Sequence, residues 1–362
     1  MAVLRPAGEF DHSYQYDMAT IRRRWQWVLL IVFLGALYAL PLYHAYLPSS
    51  ISSWVSPSMV NRIAISIIAV QGLNLLTGYT GQISIGQAAF MTVGGYISAL
   101  LVNNLGFSFF LALPVAAVGA GLVGLMFGLP SLRVKGFYLT MATLAAQFII
   151  PWFTRHAYPD ILNQTQGLNV SVPVLFGIEF NRPETYIYIT LTTVILTTIV
   201  AHNIARSRMG RAFVAVRDND LAAEVLGVDP FNYKLRAFFL ASAYAGIAGS
   251  LGAHRLRHIN SESFDLSDSI IFLGMLIVGG LGSSLGPILG AITVEFLTEA
   301  ATLFGPVFIS FFPETGGRAV QALKPLTFGI ALMLFLILEP RGLAHRWTLI
   351  KAAWRLRPFS EL

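Results

Sequence analysis

The 362-residue chain is 55% apolar and only 12% charged, against roughly one quarter charged in soluble domains, which excludes a water-soluble globular fold. It has no cysteine, which removes disulfides, thiolate metal sites and a cysteine nucleophile. The formal charge of +6 reads as membrane topology rather than nucleic-acid binding, because basic residues concentrate in the inner segments of membrane proteins.

An extension over residues 1–26, with Glu9, Asp11, Asp17 and the run Arg22, Arg23, Arg24, precedes the first apolar run. It is too long and too polar for the n-region of a signal peptide. Ten apolar runs then follow in order: 27–47, 62–77, 86–102, 109–129, 137–153, 186–203, 235–253, 269–281, 285–304 and 322–338. The second is marginal and the eighth short, so the expectation is eight to ten spans, with ten carried and the short run a candidate re-entrant segment.

With both termini inside, the inner segments hold Arg5, Arg22, Arg23, Arg24, Arg133, Lys135, Arg206, Arg208, Arg211, Arg217, Lys234, Arg236, Arg341, Arg346, Lys351, Arg355 and Arg357. The outer ones hold only Arg62, Arg155, Arg182, Arg255, Arg257, Arg318 and Lys324, as the ten-span count requires. The chain thus divides into a cytoplasmic extension 1–26, a transmembrane domain 27–340 and a basic cytoplasmic tail 341–362.

Between the second and third runs lies NLLTGYTGQISIGQAAF (74–90). Irregular backbone cannot face lipid, so this stretch must line a cavity, pack inside protein or reach water, and a broken or re-entrant helix is expected. Such a break offers carbonyls and helix N-termini to the carboxylate and ammonium of an amino acid. The structural alternative is close helix approach at Gly78, Gly81 and Gly86, tied by Gln82 and Gln87. A weak internal resemblance relates 78–95 to 279–290, and repeated halves favour transport. The candidate pathway residues are therefore Asn74, Gly78, Tyr79, Gly81, Gln82, Ser84 and Gly86, with Gly280 and Gly282.

The outer stretch 154–184, rich in Pro and Gly, reads as an irregular or short-stranded cap. The inner stretch 210–227 has helical periodicity. Ala212, Val216, Leu221, Val225 and Leu226 are expected to share one face, with Arg211, Arg217, Asp218 and Asp220 wet and a stop at Gly227, Asp229 and Pro230. Such a helix is either an interfacial anchor or a docking element.

Glu295 and Glu299 lie four apart in the ninth run and must face the bundle interior or water. His254 and His258 share the same spacing without the glutamate of a zinc motif. Gly282-Ser283-Ser284-Leu285-Gly286 matches the nucleophile elbow by letter but links two apolar runs, and only His345 follows it. No P-loop is present, since none of Lys135, Lys234, Lys324 or Lys351 follows a glycine, so any ATP must be bound by another chain.

The stretch 74–90, LRVKGFYLTMATL (132–144), SRMGRAFVAVRDNDLAAEVLG (207–227), VGGLGSSLGPILGA (278–291) and LEPRGL (338–343) together resemble LivM-type permease subunits of branched-chain amino-acid ABC importers. That resemblance implies an all-α polytopic membrane bundle in the bacterial inner membrane, with a cytoplasmic coupling helix. Arg211, Asp218, Ala222, Ala223, Glu224 and Gly227 would form its ATPase-docking surface. It also implies a homologous LivH-type permease, two ATPase subunits that bind ATP and magnesium, and a periplasmic solute-binding protein. No cofactor is expected in this chain, and it is not itself an enzyme. Permeases for urea and short amides are similar, and the competing classes are an ATP-independent secondary transporter and an intramembrane hydrolase using Ser284.

Overall fold

The computed structural model describes residues 24–43, 56–132, 138–157, 167–175, 177–303 and 316–355. Residues 1–23 of the extension, Arg133, Lys135 and the end of the tail at 356–362 lie outside the described residues.

Each of the ten apolar runs corresponds to a helix. In chain order these are α1 (Arg24–Tyr43), α2 (Pro57–Leu73), α3 (Gln87–Leu105), α4 (Phe109–Leu132), α5 (Tyr138–His156), α6 (Pro183–Arg206), α9 (Pro230–Leu256), α10 (Leu266–Gly279), α11 (Gly286–Leu303) and α12 (Gly316–Leu338). The stretch 204–234 adds α7 (Arg208–Asp218) and α8 (Asp220–Val225), and the last described helix is α13 (Leu343–Arg355). Among the described residues five helices are by themselves long and apolar enough to cross a bilayer: α2 with its π turn, α3, α4, α6 and α9. α10, with 14 residues, rises only about 21 Å, short of the ~30 Å hydrocarbon core. Residues 325–338 and 343–353 form a pair bent by 44°.

The helix starts are written in the sequence. Ser56 accepts from the Met59 amide at 3.2 Å with Pro57 at the first helical position, and Asp229 does the same for α9 ahead of Pro230. Asp265 and Asp268 form a capping box at α10.

α9 is the central helix and packs against α2, α3 and α4. Its small residues allow this: a Cβ on Gly249 would lie 1.9 Å from the Met91 carbonyl oxygen, and one on Gly94 would lie 2.3 Å from the Gly246 Cα. Without a hydrophobic force between helices in lipid, such close backbone contact and interhelical hydrogen bonds hold the bundle. The bonds are present. Asn61 donates to the Pro183 carbonyl at 2.9 Å and accepts from Thr190 at 2.6 Å, while Tyr186 and Tyr244 donate to Leu251 O and Thr197 O, each at 2.8 Å.

The described part of the stretch 154–184 is short-stranded, as expected: β1 (Leu168–Asn169) pairs antiparallel with β4 (His258–Ile259), and β2 (Val174–Leu175) with β3 (Ile178–Glu179). β4 begins after Arg257, whose φ of 57° ends α9, so His254 and His258 do not share a helix face. His254 instead bonds the Ser98 hydroxyl at 2.9 Å and the Ser171 carbonyl at 3.0 Å.

At the cap end, Arg62 of α2 donates to Glu295 at 2.7 Å and to Glu299 at 2.5 Å, and Ser66 donates to the second Glu295 oxygen at 2.7 Å. Both acids of the ninth run thus pair with one arginine, which sequence alone assigns to an outer flank. Glu295→Ala should lower stability by about 2–3 kcal/mol, somewhat below the ~3–5 kcal/mol of a fully buried pair because the Arg62 side chain is 35% exposed. Thermal unfolding in detergent measures this, with a smaller shift for Glu299→Ala, since Glu299 is the more exposed acid.

Candidate functional site

The end of the bundle opposite the cap gathers three irregular segments: the π turn Asn74–Gly78 that closes α2, the break 81–86 before α3, and the loop 280–285 between α10 and α11. Asn74 is buried and bridges two of them. Its Nδ2 donates to the Ser283 carbonyl at 2.9 Å, and its Oδ1 accepts from the Gly282 amide at 2.9 Å. A Cβ on Gly78 would lie 2.0 Å from Asn74 Oδ1 and 2.5 Å from the Gly282 nitrogen, so only glycine fits. Gly282 has φ +70°, a left-handed conformation natural to glycine. The two glycine clusters that resemble each other in sequence are therefore in contact.

Tyr79 meets Ser284 at 3.3 Å, and Ser284 meets His202 Nδ1 of α6 at 3.2 Å. The histidine that ordering along the chain did not supply is therefore present, but the chemistry is wrong for a nucleophile. His202 Nε2 faces an Arg206 guanidinium nitrogen at 3.4 Å, which can only donate, an arrangement that favours the Nδ1–H tautomer and so a histidine that donates to Ser284.

Gly280 backs onto the bend before α13, 3.2 Å from the Arg341 carbonyl at its Cβ position. Gly81, with φ +71°, is exposed and lies against the Arg217 side chain. Ser84 and Gly86 sit apart from this cluster: both are buried, and Gly86 packs on the Thr143 backbone of α5. Gln82 makes backbone bonds to Leu76 and Thr77, and its buried Oε1 has no partner among the described residues. The first amides of α3 are already held, Ala88 by Ser269 of α10 and Ala89 by Gln147 of α5, each at 2.9 Å. Both partners are buried polar residues within apolar runs, which is the signal that could have singled them out.

The inner stretch differs from the single helix expected. Asn219, with φ −162°, ends α7 and caps α8 by accepting from the Leu221 and Ala222 amides at 3.0 and 3.1 Å. This break splits the expected apolar face. Ala212, Phe213 and Val216 of α7 are buried, whereas Leu221, Val225 and Leu226 are 62, 87 and 81% exposed. α8 closes in a Schellman motif, with Val228 donating to Ala223 O, Gly227 to Glu224 O, and Gly227 at φ +83°. Of the candidate docking residues, Arg211, Asp218, Ala222, Glu224 and Gly227 are exposed, while Ala223 is buried and seats α8. Lys234 of α9 pairs with Asp220 and holds the segment in place.

The site is thus a hydrogen-bonded meeting of two broken helices beneath an exposed, apolar-tipped helical hairpin. The family model for branched-chain amino acid transport system permease components matches residues 58–337, which contain this whole arrangement. The chain belongs to that permease family. Over 319 residues the permease is 30% identical to the high-affinity branched-chain amino acid transport system permease protein LivM of Escherichia coli K12, covering 79% of this chain and 71% of that one. It is 28% identical to a probable LivH permease of Methanocaldococcus jannaschii, covering 66 and 77% of the two chains. The autoinducer 2 import permease LsrC of Escherichia coli O9:H4 is 27% identical, covering 58 and 60%. The permease is accordingly a multi-pass membrane subunit of an ABC transport system.

Proposed function

We propose that this chain is one transmembrane half of an ATP-driven importer of branched-chain amino acids in the bacterial inner membrane. ATP and magnesium are bound by separate ATPase subunits, a related LivH-type permease completes the path, and a periplasmic binding protein delivers the solute. The observation that carries this reading is the exposed tip of α8. Leu221, Val225 and Leu226 project from a segment fixed by Asn219, Lys234 and the Schellman turn, an apolar anchor left exposed by the described residues. Arg341 lies at this end beside Gly280, and Arg208, Arg211, Arg217 and Arg236 cluster on or next to α7, which supports placing the end and both termini in the cytoplasm. The solute path runs along the break beside Asn74, Tyr79 and Gln82, with Gly280 and Gly282 across from them. Leucine, isoleucine and valine are the substrate reading taken from the LivM relatives, and the LsrC relative makes a wider solute panel the necessary control.

Affinity purification of the tagged chain in mild detergent, with mass spectrometry of the eluate, tests the assembly. A second permease and P-loop ATPases are expected, with hydrolysis stimulated by a binding protein loaded with leucine. A chain that elutes alone and transports leucine alone when reconstituted contradicts it in favour of a secondary transporter.

A further inference from the structure

Arg217 lies at the last turn of α7, and sequence alone places it on a wet face. The structure gives it other contacts. Its Nη1 donates to the Gly78 carbonyl at 3.0 Å, across 139 residues of chain. A Cβ on Gly81 would lie 2.9 Å from its Cγ, and one on Gly282 would lie 3.1 Å from its Nη1. Asp218 steadies the guanidinium, accepting from Nε at 3.0 Å. One side chain of the docking segment therefore reaches the π turn, the break before α3 and the loop before α11 at once.

The acceptor explains why an arginine suits this position. A π turn widens the helix, and Gly78 is its last residue, so the Gly78 carbonyl belongs to a helix terminus that cannot close its own ladder. Its carbonyl needs an outside donor, and a charged donor gives a stronger bond than a neutral one. The same carbonyl lies 3.0 Å from the Cβ position of Gly282, so any shift of Arg217 is felt on both sides of the contact between the glycine clusters. Asn74 transmits it further, since its amide holds Gly282 and Ser283 together. Gly81 and Gly282, both with positive φ, present backbone rather than side chains to it.

We infer that Arg217 is the positioning residue that ties displacement of α7 and α8 to separation of the π turn from the 280–285 loop. This rests on the importer reading above and specifies how that site is worked. Motion of the docking segment withdraws the guanidinium from the Gly78 carbonyl, and the π turn and the 280–285 loop, held to each other among the described residues by Asn74 and the Tyr79 to Ser284 contact, are then free to part while Arg62 and Ser66 keep the far ends of α2 and α11 together.

Wild type, Arg217→Gln and Arg217→Lys are purified with their partner chains and reconstituted with leucine-loaded binding protein. ATPase chains bound, ATP hydrolysed and leucine imported per ATP are then read. Arg217→Gln is expected to keep its ATPase chains and its hydrolysis, while leucine moved per ATP falls about tenfold or more. Arg217→Lys, which retains a charged donor, should recover part of the loss. Unchanged import per ATP in Arg217→Gln overturns the inference. Loss of ATPase chains in proportion to import does so too, because it makes Arg217 a docking residue, and equal deficits in the lysine and glutamine variants overturn the donor role. Absence of ATPase chains from the wild-type complex overturns the importer reading instead. A second readout leaves Arg217 intact: Ile83→Cys places one exposed thiol on the break in a chain with no natural cysteine. Its maleimide labelling in the complex should change severalfold between nucleotide-free and ATP-vanadate states, and an unchanged rate contradicts movement of the break.

Discussion

Gly249→Leu should remove nearly all correctly folded protein, the largest single-residue effect expected in this chain. The Cβ position of Gly249 lies 1.9 Å from a backbone oxygen of α3, and the Met91 carbonyl carbon and Cα are each within 2.6 Å. None of these atoms belongs to a flexible side chain, so relief requires α3 and α9 to move apart. That would break the neighbouring contact between Gly94 and Gly246. Overpacking a well-filled site costs about 1–3 kcal/mol when side chains can yield and more when backbone must. Gly329→Leu is the matched control. Nothing lies within 4 Å of its Cβ position on the exposed face of α12, so the same substitution should leave yield unchanged. Fluorescence-detected size-exclusion of the two variants compares them directly, and equal monodisperse yields would contradict the packing described for α9.

The second large effect concerns function without loss of fold. Val225→Asp combined with Leu226→Asp should leave the amount of chain in the membrane unchanged, since both side chains are almost fully exposed. ATP-driven import should fall to background. Two apolar anchors worth about 2 kcal/mol each when buried by a partner correspond to roughly a thousandfold in affinity. Co-purification of ATPase chains is the measurement, and undiminished recovery would move the docking surface elsewhere on the chain.

The helical architecture was legible because apolar runs about as long as a bilayer is thick leave little choice of structure, and because Ser56, Asp229 and Asp265 mark helix starts in the sequence itself. The broken segment at 74–90 was legible for a related reason: glycines and hydroxyls between two apolar runs cannot remain a lipid-facing helix. The split between α7 and α8 was not, because the apolar spacing continues across Asn219, and an asparagine reads equally well as a wet helical residue or as a cap. Pairings across long stretches of chain were beyond a local reading. Arg62 with Glu295, His202 with Ser284 and Arg217 with Gly78 are joined by 82 to 233 residues of intervening sequence, and only the packing of α2, α6, α7, α10 and α11 brings them together. Those three pairs are also where the expectations for charge, catalysis and coupling changed most.

Import of radiolabelled leucine into proteoliposomes holding this permease, its partner permease, the ATPase subunits and the binding protein tests the central claim most directly. Uptake that requires ATP inside, rises with loaded binding protein outside, and ceases when the ATPase P-loop lysine is replaced is the predicted result. Uptake that proceeds at the same rate without ATP, driven only by a leucine gradient, would contradict it.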